Sequence, residues 1–575
     1  MDYYNEYQRW CEYAKGDIDV EKELAEMAGN ENKIVDAFYC NLAFGTGGLR
    51  GVIGAGTNRM NIHTVAKASQ GLANYIIGNF PESERKIAVS YDSRIKSELF
   101  SQVASGVFAA NGIKVCIYSK LMPTPCLSYA VRKLHCSAGI MVTASHNPAV
   151  YNGYKVYGAD GCQITTKAAQ TILSEIEKLD IFADVRTSDF EAGIANGAIE
   201  YISEDIYTNF VEEVKKQSVL SVNDNNIDRN VAIVYSPLHG TGLKPVLRTL
   251  KESGYTNITV VKEQEEPDGN FSTCPYPNPE IKEAMSLGME YARKYNADLL
   301  LATDPDCDRV GIAVKNNNGE YQLLSGNETG MLLLDYICKK RIENGTMPVD
   351  PVFIKTIVTI DMAERIAANY GVRTVNVLTG FKFIGEQIGL LEQQGKKDSY
   401  IFGMEESYGY LSGDYVRDKD AVDGAFLICE MFAYYKTLGI SLIDKLNELY
   451  QIYGYCLNTL HSYQFEGSEG FAKMQEIMKY FRGNITELGG KKIIKMLDYS
   501  QGLDGLPKSD VLKFFLEGDC SVVVRPSGTE PKLKIYLSVI ANTMQEAAEG
   551  EKQICNALDK KLSVFNLNGQ EVPRL

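Results

Sequence analysis

The sequence predicts an α/β protein of several domains that ends in a segment of α+β character. Three observations carry this reading. Short apolar runs alternate with amphipathic stretches over most of the chain, the pattern of parallel strands covered by helices. The 575 residues exceed what one hydrophobic core organises, so several domains are expected. Near residue 456 the pattern changes, and 520–540, CSVVVRPSGTEPKLKIYLSVI, reads as alternating strands around a turn.

In chain order, the candidate strands are KIAVSYD (86–92), IKVCIYS (113–119), AGIMVTA (138–144), NVAIVYS (230–236), ADLLLAT (297–303), PVFIKTIV (351–358) and SYIFGME (399–405). Helix-like stretches such as 97–112 and 279–295 lie between them. The polar segment 218–230 reads as a linker, and a second break falls around 323–330. These divide the chain into 1–217, 218–325, 326–455 and 456–575. The net charge of −15 argues against a broad basic surface, so neither nucleic acid nor a membrane is an expected partner. Thirteen scattered cysteines without a CxxC pair suggest reduced thiols and a cytoplasmic setting. Neither a signal peptide nor an apolar run of bilayer length is visible.

Four short stretches could carry chemistry. DPDCDR (304–309) sets Asp304, Asp306 and Asp308 at alternate positions after an apolar strand, with Arg309 adjoining. Three carboxylates so close repel one another unless a cation sits among them, and a hard ion such as Mg²⁺ suits oxygen ligands. An EF-hand is excluded, because its sixth position would be Arg309 and its twelfth Lys315. AFGTGGLRGVIGAGTNRMN (43–61) is glycine-dense and carries Arg50, but it fits neither dinucleotide nor P-loop spacing. RPSGTEPKLKIY (525–536) gathers Arg525, Ser527, Gly528 and Thr529 with two lysines, a good cradle for a phosphate. GMEESYGY (403–410) offers Glu405 and Ser407 to sugar hydroxyls. Nearby, Lys382 in LTGFKFIG and Arg417 and Lys419 in VRDKDAVDG add cations that a phosphosugar could use.

TASHNP (143–148) closes the strand AGIMVTA and presents Ser145. A Ser-His hydrolase is the rival reading. His146 is the next residue, however, and neighbours on an extended chain point to opposite sides. The stretch also lacks the glycines of a nucleophile elbow. Of the other histidines, His63, His135, His239 and His461, the best placed is His239 in YSPLHGTG, where a turn histidine is the expected role.

Taken together, TASHNP with NGYK downstream, DPDCDR, GMEESYG and RPSGTEP resemble, in order, the phosphoserine, metal, sugar and phosphate loops of the α-D-phosphohexomutase family. The resemblance spans most of the chain. It implies three related α/β domains with mixed sheets and a smaller C-terminal α+β domain around a central cleft. It implies a phosphoserine at Ser145 and Mg²⁺ held by Ser145, Asp304, Asp306 and Asp308. It further implies a phosphosugar substrate, with Glu405 and Ser407 on sugar hydroxyls and Arg525, Ser527, Gly528 and Thr529 on the non-reacting phosphate. Arg50, His146 and Lys155 match groups beside the phosphoserine, and Arg309 one beside the metal loop. Lys155 or His146 would take the hydroxyl proton. The resemblance favours Lys155, whose pKa would have to be lowered by neighbouring cations. The activity implied is interconversion of glucose 1-phosphate and glucose 6-phosphate through glucose 1,6-bisphosphate. Phosphomannomutase and phosphopentomutase activity are alternatives, with a metal-dependent phosphatase or hydrolase behind them. A monomer or small homo-oligomer fits. Two departures stand out: Gly47 replaces a frequent serine in the N-terminal loop, and Pro305 and Cys307 stand where many members have glycine.

Overall fold

The computed structural model describes residues 2–565 apart from 46, 466, 484, 504, 527–531 and 564, with backbone alone at 166, 467–469 and 471. The chain falls into two compact units. The first comprises Met1–Leu324, Phe381–Tyr400 and Tyr408–Tyr434, and the second Ser325–Gly380, Ile401–Ser407 and Tyr435–Leu575.

The first unit is built on two sheets. One holds β1 (Gly48–Val52), β2 (Lys86–Tyr91), β3 (Lys114–Ile117), β4 (Ala138–Val142), β5 (Tyr151–Gly158) and β6 (Ile199–Tyr201), in the order β1-β5-β4-β2-β3-β6. β4, β2, β3 and β6 run parallel, while β5 turns back against β4 and β1. The other holds β7 (Ile233–Ser236), β8 (Ile258–Val260), β9 (Leu299–Thr303), β10 (Val310–Lys315) and β11 (Tyr321–Leu324), ordered β11-β10-β9-β7-β8. Here β7, β8 and β9 are parallel, and β10 and β11 form an antiparallel flank. Both sheets are therefore mixed, as the resemblance implies.

The apolar runs of the sequence become the parallel strands for a simple reason. Every residue of β4 and of β9 is buried, because helices cover both faces of the sheet. The helix Ile62–Asn79 lays Val65, Ala68, Leu72, Ala73 and Ile76 on the first sheet. It starts at Asn61, whose side chain accepts from the Thr64 amide while the Thr64 hydroxyl accepts from the Asn61 amide.

Three short helices precede the first sheet and close over their own core of Tyr7, Trp10, Leu24 and Phe38. His63 stands edge-on to Trp10, with ring centroids 5.4 Å apart, and its buried Nε2 has no hydrogen-bond partner among the described residues. Burial lowers its pKa to about 4, against a weaker pull from Asp17 and Glu21. The sign follows directly. Between pH 4 and 6.5 the unfolded chain binds a proton that the folded one refuses, so stability falls as pH drops through this window, by about 3 kcal/mol in all. Trp10 is the single tryptophan and reports on this core. Urea unfolding followed by its fluorescence should weaken from pH 7 to pH 5 in the native chain and lose most of that slope in His63→Phe. An equal slope in both would assign the acid sensitivity elsewhere.

In the second unit, β12 (Val352–Thr356) pairs in parallel with β13 (Arg373–Val377) and lies next to β14 (Tyr400–Glu405). β15 (Gly409–Leu411) follows in sequence within the first unit. The C-terminal sheet is antiparallel throughout. It contains β16 (Tyr455–Gln464), β17 (Glu487–Leu488), β18 (Lys491–Asp498), β19 (Leu512–Leu516), β20 (Cys520–Pro526) and β21 (Lys532–Ala541), in the order β16-β21-β20-β19-β18-β17. Helices Gly467–Arg482 and Met544–Ser563 accompany it, the α+β character expected of this segment. Among the described residues, no single helix is long and apolar enough to cross a membrane.

Candidate active site

Side chains at the carboxyl ends of β2, β4, β7 and β9 meet in the first unit, where open α/β sheets commonly bind ligands. TASHNP leaves β4 in a tight turn, closed by the Asn147 amide donating to the Ala144 carbonyl at 3.1 Å. Ser145 adopts a left-handed backbone, φ 52°, which costs a non-glycine residue about 1–2 kcal/mol. Its amide donates to Thr143 Oγ1 at 2.8 Å, and that hydroxyl donates to the buried Asp92 at 2.6 Å. NGYK supplies the facing strand. A Cβ on Gly153 would stand 2.4 Å from the Thr143 carbonyl oxygen, so only glycine lets β5 approach this closely.

Ser145 Oγ donates to Asp304 Oδ2 at 2.9 Å and lies 3.1 Å from His146 Nδ1. The contact with His146 corrects the expectation that the two side chains diverge. That expectation assumed an extended chain, and the left-handed turn at Ser145 brings the neighbouring side chains together instead. Burial, then Arg309 and Arg50, pushes the His146 pKa well below its ordinary value, so the ring is neutral. His239 takes the structural role expected of it. Its Nδ1 lies 3.0 Å from the Glu266 carbonyl oxygen and its Nε2 2.8 Å from Thr273 Oγ1.

DPDCDR follows β9, and all three carboxylates are buried with oxygens within 4.8 Å of one another. Lys155, projecting from β5, lies 2.7 Å from Asp306 and 3.3 Å from Asp308. Lys419 lies 2.9 Å from Asp308. Arg309 pairs with Glu280 at 2.5 Å, with its Nε 3.8 Å from Asp308. Burial and the neighbouring Asp306 and Asp308 push the Asp304 carboxyl far above the usual range. Burial also works against charge on Asp306 and Asp308, but the lysines outweigh it and hold both pKa values down. The expectation for Lys155 is not met. Burial pulls its pKa down, yet Asp306 and Asp308 more than compensate, and the net shift is upward.

Asp306 Oδ1 and Asp308 Oδ1 are buried and accept no hydrogen bond from any described residue. Such orphaned acceptors cost about 1–3 kcal/mol each. A hard cation ligated by oxygen would satisfy both, so the residues present fit a metal such as Mg²⁺. The departures from the family pattern are accommodated here. Cys307 takes φ 51°, the backbone that favours glycine at this position. Pro305 packs on the β7 loop, where a Cβ on Gly240 would come within 2.4 Å of its Cα.

Sequence reasoning missed two groups. Arg94 is buried, and its guanidinium donates to the carbonyls of Ser145 and Asn147 at 2.5 Å, Pro148 at 2.9 Å and Tyr151 at 3.1 Å. It also lies 3.3 Å from Asp92, so one planar fork holds the whole serine loop. Thr124 donates to Asp306 Oδ2 at 3.0 Å. A strand ending in SYDSR was the available signal for Arg94, and nothing local marks Thr124.

Other expected residues fall at varying positions. Arg50 on β1 reaches the serine loop through Asn147 Oδ1 at 3.4 Å. Lys382 is buried in the first turn of the helix Phe381–Gln393, its ammonium 5.3 Å from the Phe383 ring centroid. Arg417 departs from its expected role in substrate binding. Its side chain is fully buried, lies 2.8 Å from Glu392 and donates to the Asp414 and Val416 carbonyls, so it holds its own loop. In the second unit, Glu405 ends β14, with Ser407 two residues on. Between them, Glu406 accepts from Thr356 and Thr359 at 3.2 Å each. Arg525 lies near the end of β20 in register with Lys534, while Ser527, Gly528 and Thr529 fall outside the described residues.

The sequence matches four domain patterns in succession. They are phosphoglucomutase/phosphomannomutase alpha/beta/alpha domains I at 41–181, II at 207–319 and III at 325–453, and the C-terminal domain at 488–557. The chain belongs to the phosphoglucomutase/phosphomannomutase family. Membership makes it an isomerase that works by phosphoryl transfer. Phosphoglucomutase of Staphylococcus saprophyticus is 36% identical over 524 residues, covering 88% of this chain and 92% of that one. Phosphoglucomutase of the bovine RF122 strain of Staphylococcus aureus is also 36% identical, over 94% of this chain and 96% of its own. The family fold recurs in a phosphoglucomutase/phosphomannomutase family protein of Burkholderia thailandensis, with TM-score 0.67, 17% identity and coverage of 92% and 98%. It recurs in the open form of Paramecium parafusin, a phosphoglucomutase, with TM-score 0.66, 18% identity and coverage of 92% and 95%.

Proposed function

We propose that this chain interconverts α-D-glucose 1-phosphate and glucose 6-phosphate, passing the phosphoryl group through Ser145 and glucose 1,6-bisphosphate. The observation that carries the reading is the Ser145 hydroxyl, hydrogen-bonded at 2.9 Å to Asp304 of a buried carboxylate triplet with unsatisfied oxygens. A serine whose hydroxyl meets a cation site is placed to carry a phosphoryl group, and the 36% identical phosphoglucomutases support glucose as the sugar.

In the forward half, the sugar hydroxyl attacks phosphorus, its O–P bond forms and the Ser145 Oγ–P bond breaks. The bisphosphate then presents its other phosphate, Ser145 Oγ attacks that one, and the isomer leaves with Ser145 phosphorylated again. The proton of the attacking hydroxyl passes to a basic side chain at the cluster. The resemblance favours Lys155, which becomes a base only once its two carboxylates turn to another cation; His146 is the alternative, though the burial and arginines that keep it neutral also oppose its protonation. Asp304, Asp306 and Asp308 with the serine oxygen would hold Mg²⁺, which when bound neutralises charge on the transferring phosphoryl group. Arg94 fixes the serine loop, Arg50 and Lys419 add positive charge beside it, and Glu405, Ser407 and Arg525 serve the sugar and its distal phosphate.

The test supplies glucose 1-phosphate, mannose 1-phosphate and ribose 1-phosphate in parallel, with Mg²⁺ and trace glucose 1,6-bisphosphate. Glucose 6-phosphate should form fastest and depend on both additions. Faster mannose or pentose conversion would reassign the sugar, and free phosphate without isomer would overturn the mutase reading.

A further inference from the structure

Besides the aspartate triplet, one other group of metal-ligating side chains converges among the described residues, in the second unit. His461 lies on β16, an outer strand of the C-terminal sheet. Glu551 and Cys555 lie on the helix Met544–Ser563, four residues apart and so on one face. His461 and Glu551 are buried, and Cys555 is half-buried.

Three polar atoms crowd one imidazole nitrogen. His461 Nε2 is 3.0 Å from Glu551 Oε1, 3.2 Å from Thr459 Oγ1 and 3.3 Å from Cys555 Sγ. Cys555 Sγ is also 3.3 Å from Glu551 Oε1. Glu551 Oε1 accepts from Thr459 Oγ1 as well, at 3.0 Å, so the carboxylate gathers the imidazole, the hydroxyl and the thiol into one cluster. The same convergence suits a tetrahedral metal site. Zn²⁺ bond lengths place neighbouring nitrogen and oxygen ligands ~3.3 Å apart and either of them ~3.6 Å from sulfur. The observed triangle has edges of 3.0, 3.3 and 3.3 Å, so an expansion of a few tenths of an ångström completes three corners of the tetrahedron.

We propose that His461, Glu551 and Cys555 bind a zinc-class divalent cation through Nε2, a carboxylate oxygen and the thiolate, with water or the Thr459 hydroxyl in the fourth position. The Cys555 thiol releases its proton to solvent on binding. Nitrogen, oxygen and sulfur donors together select such an ion over Mg²⁺, which separates this site from the all-oxygen triplet of the first unit. The ion would tie the helix Met544–Ser563 to β16. β16 is paired along its length with β21, which begins at Lys532. The site is thus a device for stiffening the sheet that carries Arg525, and the inference stands whichever sugar the enzyme prefers.

The full chain, stripped with a chelator and held in excess Mg²⁺ to fill the triplet, is titrated with Co²⁺ and separately with Zn²⁺. One Co²⁺ should bind with a thiolate-to-metal charge-transfer band in the near ultraviolet. Cys555→Ser should lose that band, Glu551→Gln should weaken binding at least tenfold, and Asp308→Asn should keep the band. Zn²⁺ should raise the thermal midpoint of the native chain by a few degrees and leave that of Cys555→Ser unchanged. Cys555 is half-buried, so the serine variant keeps the test valid even where His461→Ala fails to fold. Absence of a thiolate band in the native chain, or the same band in Cys555→Ser, overturns the proposal.

Discussion

Ser145→Ala should lower mutase kcat by about 10⁴-fold or more, because no other group can take the phosphoryl and return it to the opposite end of the sugar. The fold should survive. Arg94 grips this loop through backbone carbonyls, and the Ser145 amide bond to Thr143 does not involve the lost hydroxyl. Alanine pays the same left-handed backbone cost as serine, so the thermal midpoint should stay within a few degrees. A labelling measurement checks the role independently of turnover. Glucose 1,6-bisphosphate labelled in its phosphates should phosphorylate the native chain at Ser145 and leave the alanine variant unlabelled. Turnover in that variant above a few per cent of the native rate would remove Ser145 from the reaction.

Asp308→Asn should produce the second-largest loss. It removes one of three buried charges and leaves Lys155 and Lys419 facing a cation site that has become less negative. The concentration of Mg²⁺ for half activity should rise more than tenfold, with kcat down by about 10²–10³-fold. Chelation of the native enzyme should abolish activity, and Mg²⁺ should restore it. The Asp304 shift gives this prediction a pH signature. Its folded pKa lies above the unfolded value, so the cation-free protein holds a proton that the unfolded chain gives up as pH rises, and stability is lost in that direction. A bound cation displaces the proton and removes the penalty. The Mg²⁺-induced rise in thermal midpoint should therefore grow from pH 5 to pH 7.5 in the native enzyme and be smaller in Asp308→Asn. A Mg²⁺ response independent of both pH and Asp308 would place the cation elsewhere.

The parts of this site that were legible in the sequence are local ones. Ser145 and the three aspartates each lie in a short loop after an apolar strand, and the strand was visible as an uninterrupted buried run. Their mutual approach follows from strand ends meeting at one edge of α/β sheets. What escaped was whatever depended on contacts distant in sequence. Arg94 reads as an ordinary surface arginine until its carbonyl partners at 145, 147, 148 and 151 fold around it. Arg417 presents the opposite case, since a loop arginine beside a lysine looks like a ligand for phosphate and is instead fully buried against Glu392. For Lys155 the sign of its shift depends on which charges lie nearest, and these are carboxylates contributed by another sheet.

The sequence by itself determined the α/β architecture, the family and the candidate residues for the chemistry, because hydrophobic periodicity and contiguous loops are one-dimensional signals. Tertiary structure decided how those residues behave. The left-handed turn at Ser145 joins its hydroxyl to His146, burial beside two other carboxylates pushes the Asp304 pKa up, and the facing aspartates raise that of Lys155. Electrostatic energies depend on separation in space and on burial, and neither can be read from order along the chain.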